Sequence, residues 1–204
     1  MHRSLQSTVL FLSVLFSSLV AAQDASYTFT PIEVPGARST EAYGINDRGQ
    51  IVGFFYDATG NYGFLKDGDT FTVIEVPGAK FTYAHGINER GQIVGYFWYI
   101  PGQDHGFLKD GDTFTTFDVP DATFTHAYGI NDRGQIVGWC ICATGGHGFV
   151  TDGVTYTSVD VPGATRTVPY GINNRGQIVG LFANHGFVAT PEPPRPSSPS
   201  RPAP

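Results

Sequence analysis

The stretch Gly44-Ile45-Asn46-Asp47-Arg48-Gly49-Gln50-Ile51-Val52-Gly53 decides the fold. It returns at Gly86 to Gly95, Gly129 to Gly138 and Gly171 to Gly180, with starts 42, 43 and 42 residues apart. Only the fourth letter changes, through Asp47, Glu89, Asp132 and Asn174. Self-similarity at a fixed period of this length marks a repeat architecture, one supersecondary unit built several times and stacked on itself.

Working outward in the second repeat, Phe81 to Asn88 has the pattern of a strand and Asn88-Glu89-Arg90-Gly91 that of a turn. Gln92 to Tyr99, rich in β-branched and aromatic residues, is a second strand. Ile100 to Asp104 contains Pro101-Gly102 and reads as a loop, and His105 to Lys109 as a third short strand. Asp110-Gly111-Asp112 is a hairpin turn, and Thr113 to Val119 a fourth strand that Pro120 ends, because proline cannot donate to a ladder. A four-stranded meander of this length matches a β-propeller blade. The chain opens on a spare fourth strand, Tyr27 to Val34, and stops after a third, His185 to Ala189. The sequence therefore predicts an all-β, four-bladed β-propeller of four-stranded antiparallel blades over residues 23–190, closed by the N-terminal strand completing the last blade. Closure would remove exposed sheet edges, and the closed ring is expected to be a monomer. Ala42 and Gly44, with Ala84, Gly86, Ala127, Gly129, Val168 and Gly171 in the later units, place the first strand innermost. Phe55, Phe97 and Phe182, with Phe64, Phe107, Phe149 and Phe187, are expected to fill the space between blades.

The chain has 204 residues, 41% of them hydrophobic, enough for one cored domain, and its 26 Gly and 14 Pro suit short strands and many turns. A net charge of −6 argues against nucleic acid as a partner, since phosphate binding calls for a basic face. Residues 1–22 have the layout of a signal peptide: Arg3, an apolar run from Val9 to Val20, then Ala21-Ala22. The run is too short for a permanent membrane helix. The mature chain is thus expected to carry no integral membrane segment and to be secreted, extracellular or periplasmic. Residues 191–204 are rich in Pro and Ser and read as an extended, disordered tail.

The motif Gly-Ile-Asn-Asp-Arg-Gly-Gln-Ile-Val-Gly, with His-Gly-Phe-Leu (His105 to Leu108) and Thr-Phe-Thr-x-x-Asp-Val-Pro (Thr113 to Pro120), resembles the extracellular HAF-type repeat proteins of bacteria. The resemblance covers the chain between the leader and the tail. It implies a propeller-like repeat fold and no particular activity. Similar proteins often end in a Pro-Glu-Pro sorting signal, a membrane helix and a basic cluster. Pro191-Glu192-Pro193 is similar to the opening of that signal, but no helix follows, which favours release or loose wall association.

Asn46, Asn88, Asn131 and Asn173 read as turn residues, each bonding its own backbone ahead of a positive-φ Gly. Arg48, Arg90, Arg133 and Arg175 are expected on a solvated ion-pair rim with the neighbouring acids. The Asp-Gly-Asp turns are too short for a calcium loop. Cys140 and Cys142 stand two apart on a strand, near the upper limit for bridging, and read as free thiols with Cys140 in the core. No cofactor motif is present, and no metal is expected.

The repeats agree at the turn rim and differ at the opposite rim, in the loops between blades and between second and third strands. Tyr62, His105, His147 and His185 occupy equivalent positions there, with Tyr83, Trp98, Tyr99 and His126 nearby. Three His and one Tyr off the axis stand too far apart for a metal. Aromatic faces with imidazole and carboxylate groups suit sugars instead. The expected function is a secreted, non-enzymatic binding propeller whose variable rim recognises a glycan, a cell-surface polymer or a protein. One alternative is an extracellular polysaccharide hydrolase or lyase, for which Glu41 and Asp104 are the candidate carboxylates. The other is a structural cell-surface protein.

Overall fold

A computed structural model describes residues 27–99 and 102–192. The leader (1–22) lies outside the described residues, as does the tail apart from Pro191 and Glu192. By its contacts the chain divides into Met1–Pro31 and Ile32–Pro204. Of the first unit, Tyr27 to Pro31 are described; they are exposed and form no strand.

Among its described residues the second unit holds fifteen strands. Repeat one is β1 (Ser39–Ile45), β2 (Ile51–Tyr56), β3 (Asn61–Asp67) and β4 (Thr70–Ile74). Repeat two is β5 (Phe81–Ile87), β6 (Ile93–Trp98), β7 (Asp104–Asp110) and β8 (Thr113–Phe117). Repeat three is β9 (Phe124–Ile130), β10 (Ile136–Cys142), β11 (Gly145–Thr151) and β12 (Tyr156–Ser158). Repeat four has β13 (Thr167–Ile172), β14 (Ile178–Phe182) and β15 (His185–Ala189). Each repeat is the antiparallel meander that the alternating pattern dictates. Single parallel pairs, Asn61 with Phe81 and Asp104 with Phe124, join successive repeats. Twelve strands thus form one mixed sheet, and β13–β14–β15 form a separate sheet of three.

The array does not close, which corrects the expectation of a four-bladed closed propeller. Tyr27 to Val34 carry no strand, and among the described residues β15 pairs only with β14. The first strands lie in line: a Cβ on Gly44 would meet the backbone of Gly86, one on Gly86 that of Gly129, and one on Gly129 that of Gly171. The line stops at Gly171, whose Cβ position meets only its own repeat's Val179. The small residues therefore serve close approach between neighbours, as expected, but along an open row.

The core lies between repeats. Val52 and Ile74 of repeat one pack against Ala84, Ile87, Phe97 and Phe107 of repeat two. Val94 and Phe117 pack in the same way against Ala127, Ile130, Cys140 and Phe149. Ile32 and Val34 cover Phe55 and Phe64 as Ile74 and Val76 cover Phe97 and Phe107. Phe182 and Phe187, expected to be buried like their counterparts, are only half-buried, because nothing is stacked beyond repeat four among the described residues.

The repeated motif is a clamp. The Asn88 carboxamide oxygen accepts the backbone N–H of Arg90 and of Gln92, at 3.0 Å each. Its Nδ2 donates to Gln92 Oε1 (2.8 Å) and to the carbonyl of Asn131 in the next repeat (3.1 Å). Asn46 reaches Asn88, and Asn131 reaches Asn173, in the same way. The acids beside the arginines do not form the expected ion-pair rim. Glu89 accepts the N–H of Asp47, and Asp132 that of Glu89, so each acid caps the preceding repeat's turn. The arginines pair with no carboxylate among the described residues. Val34, Val76, Val119 and Val161 each donate their N–H to a Thr hydroxyl (Thr40, Thr82, Thr125, Thr167), which fixes the turn between repeats.

Asn88→Ala removes a buried clamp that spans two repeats, whereas Asn173 makes no bond to a following repeat among the described residues. Urea unfolding should show Asn88→Ala costing about 1 kcal/mol more than Asn173→Ala, the net worth of the extra hydrogen bond. Equal costs would mean that the cross-repeat bond contributes nothing. At the turn between repeats two and three, Asp121 holds φ 62° where Gly36, Gly78 and Gly163 stand in the equivalent turns ahead of the other repeats. Left-handed backbone strains a residue with a Cβ. Asp121→Gly is expected to raise the melting temperature, and a lower one would refute the strain.

Candidate functional site

Strand alternation sets one side chain of every repeat's first strand beside one of its second. The first-strand series is Tyr43, His85, Tyr128 and Tyr170; the second-strand series is Phe54, Tyr96, Trp139 and Leu181. Stacking brings the series into contact across repeats. Tyr43 meets His85 at 4.5 Å between ring centroids, His85 meets Tyr128 at 5.1 Å, and Tyr128 meets Tyr170 at 5.3 Å. A continuous aromatic face results, running across the repeats.

Between repeats two and three this face opens into a cleft of about 470 Å³. Phe81, Tyr83, Tyr96, Trp98, Gly102, Asp104, Phe124 and His126 line it. Trp98 stacks on Phe81 (5.3 Å, 22°), and Tyr96 lies between Tyr83 (4.7 Å, 21°) and His126 (3.8 Å, 8°). Asn61 donates to the Tyr83 hydroxyl at 2.7 Å, and the Trp98 indole N–H donates to the Gly102 carbonyl at 3.1 Å. Asp104 Oδ2 lies 2.6 Å from His126 Nε2, and Tyr128 Oη lies 3.3 Å from Nδ1. A carboxylate only accepts, so Nε2 carries the proton toward Asp104. That pairing fixes the imidazole plane against Tyr96 and leaves the second carboxylate oxygen available at the cleft. The site offers aromatic faces, a carboxylate acceptor and no Lys or Arg among its lining residues.

Of the eight residues expected at the variable rim, Tyr83, Trp98 and His126 converge in this cleft. Tyr99 and His105 stand together in repeat two, 5.9 Å apart, outside it. His105 Nδ1 bonds Asp118 and His147 Nδ1 bonds Asp160, each at 2.9 Å, pinning a third strand to the end of the fourth. Tyr62 bonds the Thr59 hydroxyl at 3.0 Å, and His185 lies against Phe182. These five support their own repeats and do not line the cleft. No group of three or more His, Cys, Asp or Glu side chains suited to a metal occurs among the described residues.

Sequence reading missed Phe81, Tyr96 and Phe124 as cleft residues. The signal for Tyr96 was its place after Ile-Val-Gly, where the other repeats also carry a large residue, Phe54, Trp139 or Leu181. The neighbouring junctions differ in chemistry. Between repeats one and two, Asn61 and Tyr83 stand where Asp104 and His126 stand at the cleft, while Glu41, within repeat one, accepts the Tyr43 hydroxyl at 2.7 Å. Between repeats three and four, the Arg166 guanidinium lies 4.5 Å over Trp139, a cation–π contact. Cys140 and Cys142 are free, their sulfurs 3.8 Å apart, and burial pushes the Cys140 thiol up to about 12.

His85 is the one imidazole where the other repeats carry Tyr. Its ring packs between Tyr43, Tyr96 and Tyr128, and its Nε2 finds no partner among the described residues. Burial, with a smaller push from His126, lowers it from 6.5 to about 4. The unfolded chain therefore takes up this proton first as pH falls, so the stability is complete above 6.5 and is lost on the way down to about 4. The loss is up to about 3 kcal/mol. His85→Tyr, which restores the residue of the other repeats, should shrink the stability difference between about pH 7 and about pH 4.5 in urea unfolding. An unchanged difference would show that His85 is not the group involved.

No family model and no curated protein matches the chain. Solved structures similar to it include a fucose lectin from Kordia zhangzhouensis in complex with methyl-fucoside, at 11% identity and TM-score 0.39, covering 60% of this chain and 99% of that one. A variant of Aleuria aurantia lectin in complex with α-methyl-L-fucoside is similar at 12% identity and TM-score 0.42, covering 74% of this chain and 60% of that one. The same lectin variant with Fucα1-6GlcNAc gives 12% identity and TM-score 0.41, over 74% and 61%. The chain spans about three-fifths of the length of the Aleuria lectin.

Proposed function

We propose that this protein is a secreted, non-enzymatic carbohydrate-binding repeat protein and that the cleft between repeats two and three is its sugar site. One observation carries the reading: ordered aromatic faces and a half-buried carboxylate converge in a cleft with no cationic lining residue. A pyranose has an apolar face of C–H groups and an edge of hydroxyls. Trp98, backed by Phe81 and flanked by the packed stack of Tyr83, Tyr96 and His126, presents rigid aromatic surface for the first, at low entropic cost because the rings are already packed. The Asp104 carboxylate accepts from the second, and charge-assisted hydrogen bonds of this kind are the stronger class. Secretion belongs to the same proposal and is supported by the basic-then-apolar layout of residues 1–22.

Hydrolase chemistry fits less well. Glycoside cleavage usually takes two carboxyl groups flanking one bond. Asp104 is the single carboxylate of the cleft, whereas Glu41 is bonded to Tyr43 in repeat one.

The test is a glycan array followed by calorimetry, with methyl-fucoside and Fucα1-6GlcNAc, the ligands of the lectins compared above, among the probes. Trp98→Ala and Asp104→Asn should each weaken binding at least about tenfold, or about 1.4 kcal/mol. Phe71→Ala, in β4 and packed on Phe64 away from the cleft, should leave it within about twofold. Absence of binding to any glycan, or equal loss in the Phe71 variant, would overturn the assignment.

A further inference from the structure

Both ends of the array present surfaces that are covered everywhere else in it. Val52, Val94 and Val137 are fully buried, whereas their counterpart in repeat four, Val179, is 52% exposed. Leu181 and Val188 on the same repeat are exposed too. At the other end, Ala84 and Ala127 are fully buried and Ile87 and Ile130 nearly so, whereas Ala42 is exposed and Ile45 is 68% exposed. The covering surface inside the chain is always a neighbouring repeat, the next one for the valines and the preceding one for the alanines and isoleucines.

The polar groups at the two ends are complementary. The Nδ2 atoms of Asn46, Asn88 and Asn131 each donate once within the turn and once to the next repeat's carbonyl; Asn173 donates to Gln177 and, among the described residues, to no following repeat. The backbone N–H groups of Asp47, Glu89 and Asp132 each reach the next repeat's side chain, and that of Asn174 has no such partner among the described residues. Repeat four thus ends in donors. Repeat one begins with the matching acceptors, the Asn46 carbonyl and the Asp47 carboxylate.

A strand and its missing edge complete the match. Thr28-Phe29-Thr30 repeats Thr70-Phe71-Thr72 of β4, and Ile32 and Val34 already sit on repeat one as Ile74 and Val76 sit on repeat two. Phe29 is nevertheless 91% exposed and unpaired. In the other repeats the fourth-strand aromatic packs on the third-strand Phe: Phe71 on Phe64, Phe114 on Phe107 and Tyr156 on Phe149. Phe187 of β15 has no such partner among the described residues.

We infer that two copies of this chain join head to tail, repeat one of one copy stacking on repeat four of the other, with Tyr27 to Thr30 of the first pairing along β15 of the second. The β3–β4 register, Leu65 opposite Thr72 and Lys66 opposite Phe71, places Thr30 opposite Val188 and Phe29 opposite Ala189. Pro31 falls at the Val73 position, on an edge strand where a missing N–H is tolerated. The contact is heterologous, so further copies add until the row closes or runs on as a filament.

Sedimentation velocity of the purified chain over a concentration series tests this. The chain should sediment as a dimer or larger, with the larger species growing with concentration. Phe29→Asp blocks the donated strand, and Val179→Asp blocks the receiving face. Each should be monomeric alone, and an equimolar mixture should give one dimer and nothing larger, because one working head meets one working tail. Both positions are exposed in the single chain, so both variants should retain the parent circular dichroism; Ile45→Glu and Leu181→Glu serve as second variants if either does not. A parent chain that stays monomeric, a single variant that still associates, or a mixture that stays monomeric would overturn the inference.

Discussion

Four asparagines in equivalent turns carry the architecture. The carboxamide of each folds its own turn through the oxygen, and three of them tie that turn to the next repeat through the nitrogen. Local geometry and repeat stacking therefore depend on one side chain. A Ser or Thr in its place would lack the second donor, and an Asp would bring a charge into a site filled by a carbonyl. Once this spacing is set, glycines at Gly44, Gly86 and Gly129 let the first strands approach, and the hydrophobic core forms between repeats rather than within them.

That arrangement also produces the candidate site. Every inter-repeat junction receives the same two series of side chains from the first and second strands, so each is a variation on one frame. Asn61 and Tyr83 mark the first junction, and Arg166 over Trp139 the third. The middle junction pairs Asp104 with His126 and leaves a lined cleft. A repeat scaffold can differ in this way without strain, because the clamp and the core lie on other faces of the same strands.

The strand plan was legible residue by residue. The pattern from Phe81 to Val119 gave four strands, and the observed β5 to β8 match it to within one or two residues at each end. The core position of Cys140 and the structural role of the turn asparagines were legible as well. The convergence of Tyr83, Trp98 and His126 was legible only as nearness within a rim. Their grouping with Phe81, Tyr96 and Phe124, and the separation of His105, His147 and His185 into local pins, depend on which strands of different repeats face one another.

Ring closure marks the boundary between the two kinds of information. The period, the meander, the turn chemistry and the inward aromatic positions are local or nearest-neighbour properties, and a repeating sequence states them four times over. Whether the fourth repeat returns to the first depends on the rotation added at each junction, which no single repeat encodes. A count of strands read as a closed ring; the packing of Gly44 on Gly86, Gly86 on Gly129 and Gly129 on Gly171 laid out an open row, with Val179 bare at one end and Ala42 at the other. The sequence alone determined the unit, and the tertiary structure decided how the units add, because small angular differences between packed neighbours accumulate along the row.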